Sequence, residues 1–298
     1  VPELPELEVA RERLEEASRG RRILRADVVD PFVLRTVEPP LAAAAGRRIE
    51  AVQRRGKVLR VLLEGSIALD VHLMRAGRLR LRPAAGHRPH RRRTLLVVEL
   101  EGDRVVELTE AGTERRASLR VIDVSAPAEE APPGLEPLAP TFTPARLAEA
   151  LRRENRRLKG ALRSPDVVAG IGNAYSDEIL HAARLSPLRL TGRLEDEEIV
   201  RLHVAIVGTL RTWIERVRAA CPPGTLPEKQ DPWRRGFAVH ARAGQACPAC
   251  GDRIERISYR DSETDYCPTC QNEGRVLADR RLSRLGIRGA RRPPPPSA

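Results

Sequence analysis

Four cysteines near the C-terminal end limit the possible folds of this chain more than any other feature: Cys247-Pro248-Ala249-Cys250 and Cys267-Pro268-Thr269-Cys270. Two residues lie within each pair and sixteen between the pairs. That spacing lets two short knuckles, joined by a hairpin, close four thiolates around a tetrahedral zinc ion. Four thiolates leave no open coordination position, so the expectation is one structural Zn2+ and not a catalytic one. Two disulfides are the alternative, and they would leave the fifth cysteine, Cys221, without a partner. Cys221 itself is expected to be a small buried side chain.

A chain of 298 residues has room for two domains beside such a ribbon. Its net charge of +12, with 32% of residues charged, makes a polyanion the expected partner. No apolar run approaches the roughly 20 residues that span a bilayer. No signal-peptide pattern follows the start, so a cytosolic protein of bacterial, nucleoid-associated type with no membrane partner is expected. Of 53 basic residues only Lys57, Lys159 and Lys229 are lysines. A compact ammonium fits against a single phosphate, or gives up a proton, where the broad guanidinium fork does not. The three lysines are therefore candidates for function.

Along the chain, Leu7, Ala10, Leu14 and Ala17 recur at helical spacing, and Gly20 stands where such a helix stops. Short β-branched runs follow: Ile49–Gln53, Val58–Leu63, Ile67–Leu73, Thr94–Leu100 and Ser118–Val124. They predict an antiparallel sandwich, with Arg54-Arg55-Gly56 turning the chain so that Lys57 projects from a hairpin tip. Prolines 127, 132, 133, 137 and 140 mark a linker over 126–143. Thr143-Pro144 then caps a helical region in which Ile199, Leu202, Ile206, Leu210, Trp213 and Val217 form one apolar stripe. The fold class read from this order is α+β: a sandwich over 1–125, a helical domain over 144–236, a zinc ribbon over 237–275 and a basic tail over 276–298.

Two further stretches carry chemistry. Val1-Pro2-Glu3-Leu4-Pro5-Glu6-Leu7-Glu8 opens the chain. If Val1 represents a start codon read as methionine and removed, Pro2 presents a secondary amine, able to attack a sugar carbon and form an iminium ion as a Schiff-base lysine does. Glu3, Glu6 or Glu8 could then move protons. Equally, proline and acids suit a first helical turn. In Gly170-Ile171-Gly172-Asn173-Ala174-Tyr175-Ser176-Asp177-Glu178, glycines leading into a helix leave backbone N–H groups for a phosphate, with the Asn173 amide beside them, although an ordinary helix connection would read the same way.

Together, Pro-Glu-Leu-Pro-Glu, the hairpin lysine, Lys159 ahead of Gly-Ile-Gly-Asn-x-Tyr-x-x-Glu, and a ribbon ending Tyr-Cys-Pro-x-Cys-Gln resemble the formamidopyrimidine-DNA glycosylase and endonuclease VIII family over residues 2 to about 275. Leu4 is similar to the formamidopyrimidine branch. The resemblance implies a β-sandwich, a helix-two-turn-helix domain and a zinc finger, in a monomer acting on double-stranded DNA that contains damaged bases or abasic sites. It implies extrusion of an oxidised base, Pro2 as nucleophile and Glu3 as proton shuttle. Lys57, Lys159 and Asn173 would hold phosphates around the lesion. The chain departs from the family at three places. Ser262 stands where an arginine is usual, leaving Arg260 as a substitute and strand cleavage by a second elimination in question. The residues that fill the space of the flipped base become Met74-Arg75 in one loop and Arg116-Ala117 in another, so that Arg75 and Arg116 are the candidate DNA contacts there. Three functions stay open on these residues: a bifunctional glycosylase and AP lyase, a non-catalytic or monofunctional relative that binds damaged or abasic DNA, and a plain zinc-ribbon nucleic-acid binder, which leaves Pro2 and Lys57 unexplained.

Overall fold

The computed structural model describes residues 2–112, 114–126, 134–228, 235–259 and 262–277. They fall into two compact units, Val1–Pro132 with Ile214–Pro232 and Pro133–Trp213 with Trp233–Ala298. Val1, Lys229, Arg260 and the tail from residue 278 lie outside the described residues.

The first unit begins with helix α1, Leu4–Ser18. Pro5 suits its first turn, and a capping box ties the Glu3 and Glu6 side chains to each other's backbone N–H. Leu7, Ala10 and Leu14 enter the core. Eight strands follow: β1 Ile23–Val28, β2 Ile49–Arg55, β3 Val58–Leu63, β4 Ile67–His72, β5 Gly77–Pro83, β6 Thr94–Leu100, β7 Arg104–Glu110 and β8 Ser118–Asp123. They pair antiparallel in two four-stranded sheets, β2-β3-β4-β8 and β1-β6-β7-β5. In β3 every second residue, Leu59, Val61 and Leu63, is buried, as expected for a strand with one face in a core. The core shared by both sheets and α1 consists of Leu, Ile, Val and Ala alone. Arg55 pairs with Val58, so Gly56 and Lys57 form a two-residue turn, with Gly56 at φ 57°. The strands β1, β5 and β7 are those that no β-branched run announces.

In the second unit Thr143 caps α2, Pro144–Arg152, accepting the Arg146 N–H at 3.3 Å. Helices α3, Leu158–Arg163, and α4, Asn173–Ala182, follow. The long α5, Asp196–Ala220, lies in this unit up to Trp213, and its later residues belong with the first unit, where Arg218 clasps Glu12 through bonds of 2.8 and 2.9 Å. Strands β9, Glu255–Ser258, and β10, Glu263–Tyr266, form a hairpin leading into α6, Pro268–Asn272. The ribbon and the helices belong to one compact unit. Within the expected linker, residues 127–133 lie outside the described residues, while Leu135 bridges Val168 and Phe142 stacks on His203 with ring centroids 4.9 Å apart. Residues 134–143 are thus folded onto the helices, because apolar side chains among the prolines find buried sites. No helix among the described residues is long and apolar enough to cross a membrane.

Candidate active site and nucleic-acid interface

In the first unit, Pro2 and Glu3 are buried at the start of α1. Six residues on, Glu8 accepts from Arg54 Nε at 2.7 Å and from Arg11 Nε at 2.7 Å. Burial alone would raise the Glu8 pKa, but the two guanidinium groups outweigh it and hold the carboxyl below its ordinary value. Arg54 also donates to the Gly56 carbonyl at 3.1 Å. One buried arginine therefore locks the second turn of α1 to the hairpin turn that carries Lys57. On the next strand His72 lies opposite Val58, and its Nδ1 accepts the Met74 N–H at 3.0 Å. Burial, then the charge of Lys57, push the His72 pKa down, so the ring is neutral at pH 7 and carries its proton on Nε2.

Two loops border this strand end. Leu73–Gly77 closes through a bond from Gly77 N to Leu73 O of 2.9 Å; a Cβ on Gly77 would meet that oxygen at 2.4 Å, so only glycine fits. Exposed Arg75 projects from this loop, after Met74 at φ 49°. Gly77 pairs with Glu110, whose buried carboxylate accepts the N–H groups of Arg116 and Ala117 at 2.9 and 3.0 Å. The Arg75 and Arg116 loops are thereby neighbours. Ala117 is 2% exposed and fills core, whereas the Arg116 side chain stands in solvent beside Glu114.

In the second unit, Gly170 at φ 85° turns the chain into α4, whose N-cap Gly172 supplies no side-chain cap. Asn173 opens the helix, and its Oδ1 is buried without a hydrogen-bond donor among the described residues. Lys159 is only 5% exposed; its ammonium donates to Asp177 Oδ1 at 2.5 Å and to the Glu263 carbonyl at 2.7 Å. Burial pushes the Lys159 pKa down while Asp177 opposes the shift. Burial pushes Asp177 up, against the pull of His240 at 2.9 Å and of Lys159. Asp265 receives Arg256 through two bonds of 2.7 and 3.0 Å and the Ala241 N–H at 2.7 Å. Glu178 accepts three consecutive backbone N–H groups, Ala238, Val239 and His240, at 2.6 to 2.9 Å. Asp177, His240 and Asp265 are close enough to be metal ligands, but Lys159 and Arg256 already supply their countercharge.

The four ribbon sulfurs lie within 4.8 Å of one another, with Cys247 to Cys270 at 3.9 Å and Cys250 to Cys267 at 3.3 Å. A tetrahedral Zn–S bond of about 2.3 Å requires sulfurs roughly 3.8 Å apart, and a disulfide about 2.05 Å. Burial pushes the Cys270 thiol up to about 12 and Cys267 higher still, so holding these two as thiolates calls for a cation. The residues fit one structural zinc, and His181 Nε2 lies 3.2 Å from Cys247 Sγ as an outer partner.

Residues 1–117 match the formamidopyrimidine-DNA glycosylase N-terminal domain, 134–221 the formamidopyrimidine-DNA glycosylase H2TH domain and 244–272 the zinc finger found in FPG and IleRS. The formamidopyrimidine-DNA glycosylase of Roseiflexus sp. is 36% identical over 281 residues, covering 91% of this chain and 100% of its own length. The chain belongs to the formamidopyrimidine-DNA glycosylase family. The crystal structure of the MutM (Fpg) protein from Thermus thermophilus superposes with a TM-score of 0.77 at 35% identity, over 92% of this chain and 100% of that one. The Lactococcus lactis Fpg, in a complex with DNA containing an abasic site, gives 0.78 at 25% identity, over 91% and 99%.

Of the residues expected on the first unit, Pro2 and Glu3 lie at the start of the helix that Arg54 ties to the Lys57 turn, and Arg75 and Arg116 lie on neighbouring loops. Lys159, expected to hold a phosphate, is buried where α3, α4 and the β10 strand meet, with Asp177 and the Glu263 carbonyl on its ammonium. Ser262 stands in the turn of the zinc hairpin, where its carbonyl accepts the Tyr259 N–H at 2.8 Å. Sequence reasoning missed Arg54, His72 as a neighbour of Lys57, Glu110, and the Asp177–His240–Asp265–Arg256 network. Glu178 and Asp177 were visible inside the glycine motif, but the 238–240 backbone that Glu178 holds and the His240 ring that meets Asp177 lie 60 or more residues away, beyond any local pattern.

Proposed function

We propose that this chain is a DNA glycosylase and AP lyase that extrudes oxidised bases of the formamidopyrimidine and 8-oxoguanine type from duplex DNA and cuts at the resulting abasic site. The observation that carries the reading is the joining of the Pro2-Glu3 helix start to the Lys57 turn through Glu8 and Arg54, in a chain of this family. Once its nitrogen is free of an acyl group, Pro2 attacks C1′ of the damaged nucleoside. The glycosidic C–N bond breaks, and the base leaves with a proton. Opening of the sugar ring gives an iminium ion between the proline nitrogen and C1′. Loss of a C2′ proton then expels the 3′ phosphate, and water releases the enzyme. Glu3 is the group at hand to move these protons. Lys57, with neutral His72 beside it, faces a phosphate, and Arg75, Arg116, Asn173 and Arg260 supply further contacts to the backbone and the vacated base position. Zinc holds the ribbon and takes no part in bond making.

Ser262 offers no cation for a second elimination, and buried Ala117 offers no surface to stack in the space of a flipped base. The substrates favoured are accordingly abasic sites and poorly stacked lesions over 8-oxoguanine paired with cytosine, since extruding a stacked base costs a few kcal/mol. A panel of duplexes carrying an abasic site, a formamidopyrimidine or 8-oxoguanine opposite cytosine decides this. Incision in that order of rate supports the proposal. Tight binding of the abasic duplex with no incision of any substrate would instead establish a non-catalytic binding protein.

A further inference from the structure

Of the three phenylalanines in this chain, Phe142 and Phe237 are 6% and 3% exposed, but Phe32 is 75% exposed. It does not dangle. The turn Pro31–Val33 that carries it is capped by Asp30, which accepts the Phe32 N–H at 3.2 Å. Val33 next to it is 2% exposed and belongs to the core. The turn is fastened to both sheets: Val29 and Asp30 donate to Leu95 O at 2.9 and 3.2 Å, and Arg35 N donates to Leu119 O at 2.8 Å. With Val33 drawn inward and the backbone fixed on either side, the Phe32 ring is held outward. In the same segment Val29 and Val37 are also exposed, at 38% and 83%.

The rim of this turn is cationic. Arg115 forms an ion pair with Asp30 and donates to Arg92 O at 2.8 Å, which joins the turn to the loop carrying Arg116 and to the start of β6. Arg35, Arg91, Arg92, Arg93 and Arg116 are exposed. The acids nearby are Asp30, paired with Arg115, Glu114, paired with Arg116, and Glu38. Through Glu110 and Gly77 the same loop adjoins that of Arg75, so the Phe32 turn lies on the flank of the proposed lesion site. A rigid aromatic among arginines is the chemistry that takes a nucleobase on its face and phosphates at its edge.

We propose that the Asp30–Arg35 turn is a DNA-contacting surface on which Phe32 stacks against a base unstacked at the lesion, supplying the aromatic that position 117 lacks. This rests on the functional reading above. The test uses the full chain with Phe32→Trp and Phe32→Ala, at a site exposed enough that neither change disturbs the core. On titration with a duplex carrying a tetrahydrofuran abasic-site analogue, the emission of the Phe32→Trp protein, less that of the wild type, should be quenched in step with the rise in DNA anisotropy. Phe32→Ala should slow single-turnover excision of a formamidopyrimidine by about tenfold, with Phe32→Leu failing to restore it. Saturable DNA binding that leaves the tryptophan emission unchanged, or excision unaltered in Phe32→Ala, overturns this inference alone. Absence of duplex binding overturns the functional reading and this inference with it.

Discussion

The first unit encloses an aliphatic core, in which every member of the central cluster is Leu, Ile, Val or Ala. Around helix α4 of the second unit the interior is built differently. Tyr175 meets Trp213 and Phe237 edge-on, while Asp177, Glu178 and His181 reach Lys159, the 238–240 backbone and the zinc ligand Cys247. The sandwich is held by burial of apolar area, a non-directional force that scales with volume. Around α4 the second unit adds, to buried aliphatic side chains such as Leu147, Ile179 and Leu202, directed contacts among groups that are costly to bury alone. The sandwich can therefore keep reactive groups at its rim without risking its core, whereas α4 must keep every partner.

The largest test of this contrast is the metal. Cys267→Ser should lose the zinc and unfold the ribbon, since structural zinc supplies on the order of 10 kcal/mol to such modules. Metal analysis should find no zinc, and hydrogen exchange should stay slow at β3 and β6 while the 238–277 amides lose protection. Loss of protection in both units would break the comparison. Next, Asp177→Ala leaves the Lys159 ammonium buried without a carboxylate and should cost about 3–5 kcal/mol by denaturant unfolding. Replacing both, as Lys159→Met with Asp177→Leu, should recover part of that loss. A cost additive over the two sites would mean that the pair is not coupled. Leu108→Ala, in the sandwich core, should cost about 2–5 kcal/mol through lost contacts and a cavity, with no partner change able to restore it. Arg25→Ala, which removes an exposed pairing with Asp27 and Glu99, should cost less than about 1 kcal/mol.

The smallest effect lies at His72. Its folded pKa is below the unfolded value of about 6.5, so between the two the unfolded chain binds more protons. That contribution to stability is present above 6.5 and is lost as the pH falls through it toward the folded value. Proton NMR of the ring in Lys57→Met should show the pKa moving up while remaining below 6.5, because burial persists. An unmoved pKa would separate Lys57 from His72.

The same contrast explains what could be read from sequence. Alternation in Val58–Leu63 and the run Thr94–Leu100 marked β3 and β6 to the residue, because a strand with one face in an aliphatic core writes that face into its sequence. In β5, Arg78, Arg80 and Arg82 alternate with leucines and obscure a strand that is equally regular. The cysteine spacing marked the metal because its ligands come in two local pairs. The surroundings of Lys159 could not be read for the opposite reason: its partners are 18 and 104 residues away. A buried network leaves no period in the chain, so the burial of this scarce lysine was not legible. The helix start at Pro2 and the hairpin turn at Lys57 were legible, but Arg54, which joins these elements, resembled any other arginine among the basic residues.

The central claim is that the Pro2 nitrogen is the nucleophile, and borohydride trapping on an abasic duplex tests it most directly, with the protein's intact mass measured in parallel. The account predicts that protein whose mass begins at Pro2 forms a covalent adduct, that Pro2→Gly forms less through its primary amine, and that protein retaining residue 1 forms none. An undiminished adduct on protein that retains residue 1, or no adduct from a free Pro2 amine while the abasic duplex is bound, would contradict it.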